Sequence, residues 1–230
     1  MSQITTTQLE SGLLVVAEPI ASMSSVAATL LLPAGTAADP VGEDGVSVML
    51  SEMIFRGAGG LTSRELSDSL DRVGFRRSAQ ARSHHLEIDF TGLGSRFDEA
   101  LPLLVSLVLD PALPDDALEP VRSLCLQTLD GLQDEPQMMT MIRLRERHLP
   151  RPFNRSGYGN RADVESMTRA TLAERWGARA VPGGSILAVA GAIDPTMLVI
   201  SSSFSRFRKF SNASLRVFPI FISVKTRPNS

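Results

Sequence analysis

The chain has 230 residues, 43% apolar and 21% charged, enough for one large domain or two small ones around a hydrophobic core. A formal net charge of −2 supplies no global field for nucleic acid or an anionic membrane surface. The single cysteine, Cys125, excludes an intramolecular disulfide and any multi-cysteine metal site.

The opening MSQITTTQLESG has no basic segment followed by an apolar one, so the expected compartment is the cytoplasm. The longest apolar run, Val26 to Leu32, is too short to span a bilayer. Gln3 to Glu10 and Leu13 to Glu18 are β-prone, and Ser11-Gly12 between them predicts a two-residue hairpin turn. Val26 to Leu32 is a third strand, and its nearly continuous apolar character predicts burial on both faces. An apolar helix then runs from about Val46 to Phe55 and stops in a glycine-rich segment. Val48, Ser51 and Glu52 sit at i, i+3 and i+4 and share one face of it.

Thr62-Ser63-Arg64-Glu65 is a capping box, which starts a second helix that runs to about Val73 before Gly74. Phe75 to Arg82 and His85 to Thr91 read as a strand pair. In the second of these, Leu86, Ile88 and Phe90 alternate with Glu87, Asp89 and Thr91. Ser95 and Asp98 predict the cap of a third helix with Leu101, Leu104, Val105 and Val108 on its apolar face. Pro114 to Gln133 is a long helix that tolerates Pro120 only in its first turn. Asp134-Glu135-Pro136 breaks it, a fifth helix follows to about His148, and Pro150 to Arg161 is a loop. Thr168 or Thr171 caps a sixth helix through Trp176, and Ser185 to Ala190 is a last buried strand. Strands in hairpins with helices in blocks predict an α+β domain, with a mostly antiparallel mixed sheet and helices packed on one face.

The segment after residue 195 has a different composition. From Pro195 to Ser230 there is no Asp or Glu, six Lys or Arg, and five of the ten phenylalanines. One reading is a basic aromatic tail for an acidic partner or nucleic acid. The favoured one is a non-native end produced by a frameshift or early termination. The expected division is therefore a domain over 1–195 and a basic, Ser/Phe-rich tail over 196–230.

SGLLVVAEP, SSVAATLLLPAGTAADP, GVSVMLSEMIFRGAGGLTSREL, LPDDALEPVRSLCLQTLDGLQDEP, RSGYGNRADVESMT and SILAVAGAIDP, in this order and spacing, resemble the peptidase M16 family of insulinase, pitrilysin and mitochondrial processing peptidase. The resemblance covers Leu9 to Pro195. It implies the N-terminal domain of that family, a two-layer LuxS/metallopeptidase-like α+β fold. It also implies a zinc helix bearing His-x-x-Glu-His, in which two histidines bind the metal and the glutamate acts as base toward the zinc-bound water. Aligned by Gly45 and by Met53 to Gly57, the first histidine falls on Val48, the glutamate on Ser51 and the second histidine on Glu52. The third ligand, a glutamate ahead of the Asp134-Glu135-Pro136 break, falls on Thr128, or on Gln127 or Leu129 with a shift of one residue. Catalytic zinc takes about three protein ligands and an open position. Val48 cannot coordinate, Thr128 is a weak neutral donor and Glu52 is one carboxylate, so no catalytic residue, metal ligand or cofactor is expected.

The remaining candidates have plainer readings. His84-His85 are adjacent in a predicted strand, where side chains point to opposite faces and cannot chelate one ion. His148 suits a helix C-terminus. Gly57-Ala58-Gly59-Gly60 lacks the Lys-Ser/Thr of a phosphate loop. Ser51 has no neighbouring histidine. Glu43 and Asp44 favour the N-terminus of the Val46 helix. Arg143, Arg145, Arg147, Arg151 and Arg155 form a basic run, read first as a solvated face and second as a site for an acidic segment. Cys125 is read as a buried core thiol.

The resemblance implies a catalytically inactive homologue that helps bind peptide as the non-catalytic partner of a zinc-bearing M16 subunit in a heterodimer. The alternatives are a truncated remnant without function and, less favoured, an active zinc-dependent endopeptidase. Neither nucleic acid nor membrane is an expected partner.

Overall fold

In a computed structural model, residues 4–194 are described. The tail expected over 196–230 lies outside them. Among the described residues six strands form one sheet: β1 (Thr5–Gln8), β2 (Leu14–Pro19), β3 (Ser25–Leu32), β6 (Arg76–Ala81), β7 (Leu86–Leu93) and β8 (Ile186–Gly191). Their order is β1-β2-β8-β3-β7-β6, with only β2 and β8 parallel. Strand β8 thus returns to the sheet centre between β2 and β3, and the helices among the described residues lie in the crossover that a parallel return requires. The fold is mixed α+β, as the order of elements predicted.

Strand pairing places Ala28 opposite both Phe90 and Val189, Leu30 opposite Ile88 and Leu187, and Val15 opposite Leu187. All of these side chains are buried and, being paired, lie on one face. The other face carries Thr29, Leu31, Glu87 and Asp89 at intermediate exposure, with Ala27 exposed. Hence β3 alternates instead of being buried on both sides. Its apolar run marks a central strand, but helices cover only one face of it.

Two short strands, β4 (Gly57–Ala58) and β5 (Leu61–Thr62), form a separate hairpin where a plain helix stop was expected. The α-helices among the described residues are α1 (Val46–Met53), α2 (Ser63–Val73), α3 (Phe97–Leu109), α4 (Leu118–Gly131), α5 (Pro136–His148), α6 (Arg161–Ser166) and α7 (Arg169–Arg179). The Thr62 capping box is formed in full, and Gly74 closes α2 at φ 73°. Pro120 occupies the first turn of α4, and Pro136 opens α5.

Several local expectations are corrected. The β1–β2 connection is longer than two residues: the Leu9 and Gly12 amides donate to Leu13 and Leu9 carbonyls, and buried Leu13 leaves the ladder. Ser95 caps nothing, because Gly94–Arg96 is a 3-10 turn leading straight into α3. The loop expected over Pro150 to Arg161 leads directly into α6, a helix not expected from the sequence; it is capped by Asn160, whose side chain accepts from the Asp163 amide. Thr168, not Thr171, caps α7, which continues past Trp176 to Arg179.

Candidate functional site

Helix α1 is buried almost all round: Val46, Ser47, Met49, Leu50, Ser51 and Met53 are all in the core. It packs against α4, α7 and β6. Its N-terminus begins at Gly45, in the left-handed region at φ 117°. A Cβ there would sit 2.9 Å from Val164 Cγ2 and 3.2 Å from Gly159 Cα, so both backbone shape and space require glycine.

The acid serving this N-terminus is Asp39, not Glu43 or Asp44. Asp39 Oδ2 accepts from the Gly45 amide at 3.1 Å, and Oδ1 accepts from the Ser47 hydroxyl. Arg179 at the end of α7 completes the cluster, donating to Asp39 Oδ1 at 2.8 Å, Ser47 Oγ at 3.0 Å and the Ala38 carbonyl at 2.7 Å. Glu43 instead takes two hydrogen bonds of 2.7 Å from Arg175, which hold its carboxyl below the usual range. Asp44 engages α6 through its backbone: its amide donates to Asp163 and its carbonyl accepts from Asn160. Burial pushes the Asp44 carboxyl up.

The four positions matched to zinc chemistry lie on this anchored helix and its neighbour α4. Val48 is half-buried against the core. Ser51 is 5% exposed, and its hydroxyl donates to the Val48 carbonyl at 2.7 Å, which commits the proton within the helix. Glu52 is half-buried and makes no hydrogen bond or ion pair with the described residues. On α4, Cys125 is buried and faces α1. Burial first, and then the Glu52 charge, push its thiol up to about 11, the opposite of what a nucleophile needs. Thr128 lies one turn beyond Cys125, exposed, with its hydroxyl donating to the Leu124 carbonyl at 3.0 Å.

This donor set does not fit zinc. Val48 offers only carbon, the Ser51 and Thr128 hydroxyls are engaged with backbone carbonyls, and Glu52 alone is one ligand. Among the described residues there is no group of three or more His, Cys, Asp or Glu arranged to hold a metal. His84 and His85 lie in the β6–β7 turn and not in a strand, with the His84 ring 5.1 Å from that of Phe153. The basic run of α5 and its loop is partly structural. Arg143 pairs with Glu146, Arg145 reaches the Ser156 carbonyl, and Arg155 donates to the Thr36 carbonyl at 2.7 Å.

Asp39, Arg175 and Arg179 were missed in the sequence. Asp39 lies close ahead of α1, but Arg179 is 140 residues away from it. Only the fold joins them.

The sequence model of insulinase (peptidase family M16) matches residues 14–156. The chain belongs to this family. An uncharacterized zinc protease of Mycobacterium leprae is 25% identical over 197 residues, 84% of this chain and 44% of the relative. The β subunit of the mitochondrial-processing peptidase of Saccharomyces cerevisiae is 22% identical over 195 residues, 84% of this chain and 42% of that subunit. The chain therefore spans less than half the length of these curated relatives. Among solved structures, a peptidase M16 inactive domain from Pseudomonas fluorescens superposes with a TM-score of 0.83 at 17% identity, covering 94% of this chain and 53% of that one. At that identity the likeness shows the fold alone. No helix among the described residues is long and apolar enough to cross a membrane.

Proposed function

We propose that this chain is a non-catalytic M16 homologue that binds extended peptide and serves as the partner of a zinc-bearing M16 subunit. One observation carries the reading. The helix is kept as a packed, doubly anchored element, while Val48 and Glu52, Ser51 and Thr128 are the residues that the family resemblance aligns with the two histidines, the base and the third ligand. Water attack on a peptide bond at neutral pH needs a metal to lower the water's pKa and to take up the developing charge. No such group can be assembled from these side chains, whereas a packed domain can still present a surface to peptide.

The test is a zinc determination on the purified chain, with peptide cleavage measured alone and with a candidate zinc-bearing M16 subunit. The expected result is no stoichiometric zinc, no cleavage alone, and altered peptide binding or cleavage in the mixture. Stoichiometric zinc with cleavage by the chain alone overturns the proposal.

A further inference from the structure

Glu52 stands out among the site residues because its charge is unanswered. It is half-buried on α1, opposite α4, and no cation pairs with it among the described residues. Arg56, in the turn that follows α1, forms no ion pair with it, and its buried Nε has no hydrogen-bond partner among the described residues. Arg77 on β6 is committed elsewhere, donating to Ser67 at 2.7 Å, lying 3.6 Å from Asp71 and stacking over Phe55. On the α4 side its charge acts on the Cys125 thiol, and Thr128 on the same helix has its proton given to the Leu124 carbonyl. A carboxylate partly withdrawn from water, with hydrocarbon from Val48 beside it and no counter-charge among the described residues, gains from an incoming cation more than a solvated surface acid does. A lysine or arginine suits the place. Its aliphatic stem covers Val48 while its head reaches the carboxylate.

We infer that Glu52 is a recognition group for a basic side chain of a bound peptide, a cation subsite at the position where the family helix would hold a metal ligand. The inference rests on the peptide-binding reading above and adds the chemistry that the peptide must carry. Val48 is the apolar wall of the subsite, and Glu52 its single charged group.

The experiment uses the full chain and two labelled extended peptides that are identical except for one central Lys or Met. Wild type is expected to bind the Lys peptide about five-fold more tightly at low salt, the preference shrinking as salt is raised. Glu52→Gln is expected to bind the two equally. Thr128→Lys, which offers an internal cation from α4, is expected to erase the preference as well, and thermal melts confirm that both variants are folded. Equal binding of the two peptides by wild type overturns the cation subsite and leaves the peptide-binding reading standing. A Lys preference that survives Glu52→Gln also overturns it, placing recognition at another residue. Failure of wild type to bind either peptide overturns both readings.

Discussion

Replacing Arg179 with methionine tests what holds the site helix in place. The guanidinium makes three hydrogen bonds to Asp39, Ser47 and the Ala38 carbonyl, and the Asp39 side chain with which it pairs is 0% exposed. Methionine keeps much of the volume and removes the charge. It leaves a fully buried carboxylate supported only by the Gly45 and Ser47 groups. Breaking one side of such a pair costs about 3–5 kcal/mol. For a domain of this size that corresponds to a melting point lowered by roughly 6–20 °C. The double variant Asp39→Asn/Arg179→Met carries no buried charge, and its cost is expected to fall at least ~1.5 kcal/mol short of the sum of the singles. Urea unfolding of all four proteins measures the cycle. A cost below about 1 kcal/mol for Arg179→Met, or strict additivity, refutes the claim that this pair anchors α1.

Other outcomes follow from the same geometry. Burial raises the Asp44 carboxyl above its unfolded value, so the protonated form is the one the fold favours. The stability this contributes is fully present below the unfolded pKa of about 3.9 and is lost as pH rises through the folded value. Asp44→Asn is therefore expected to gain stability relative to wild type at pH ~7 and to lose that advantage near pH ~3, as read by urea unfolding at both; a constant difference contradicts it. Leu50→Ala, at a fully buried position of α1, is expected to cost about 2–5 kcal/mol in the same assay, and a cost under 1 kcal/mol would show a looser core. Val48→His/Glu52→His/Thr128→Glu supplies three ligands to the retained scaffold and is expected to bind zinc without cleaving peptide while Ser51 stands at the base position. Equilibrium dialysis that finds no metal would mean α1 and α4 are not set at the family's spacing.

Much of the fold could be read in the sequence because its signals are local. The Thr62 box, Gly74, Pro136 and the Leu86-Ile88-Phe90 alternation each fix an element within a few residues. What failed depended on tertiary partners. The apolar content of β3 looked like two-sided burial, yet only the face shared with Phe90, Ile88 and Leu187 is covered. Glu43 and Asp44 looked like the acids for the α1 N-terminus because they are adjacent, but Asp39 reaches back to it and the other two are drawn to α7 and α6. The site was legible only by the family resemblance. Neither the periodicity nor the burial of α1 singles out Val48, Ser51 or Glu52 as the positions that the resemblance aligns with zinc chemistry. Nothing local joins Thr128 to them either.

The arrangement of α1 explains how chemistry and fold can part company in this domain. Met49, Leu50 and Met53 are fully buried, so changes there strike the core directly. Val48 and Glu52 sit on a half-buried face toward α4, where substitution changes little packing. Metal ligands are among the costly residues to keep in an unmetallated helix, since histidines and glutamates facing one another there bring desolvation without coordination. Hydrocarbon at Val48 and a self-satisfied hydroxyl at Ser51 suit such a helix better than unmetallated ligands would. Glu52 does not follow that trend. A half-buried carboxylate without a counter-charge among the described residues adds nothing to α1 packing, and the comparison of Lys and Met peptides tests the proposal that a basic side chain answers it.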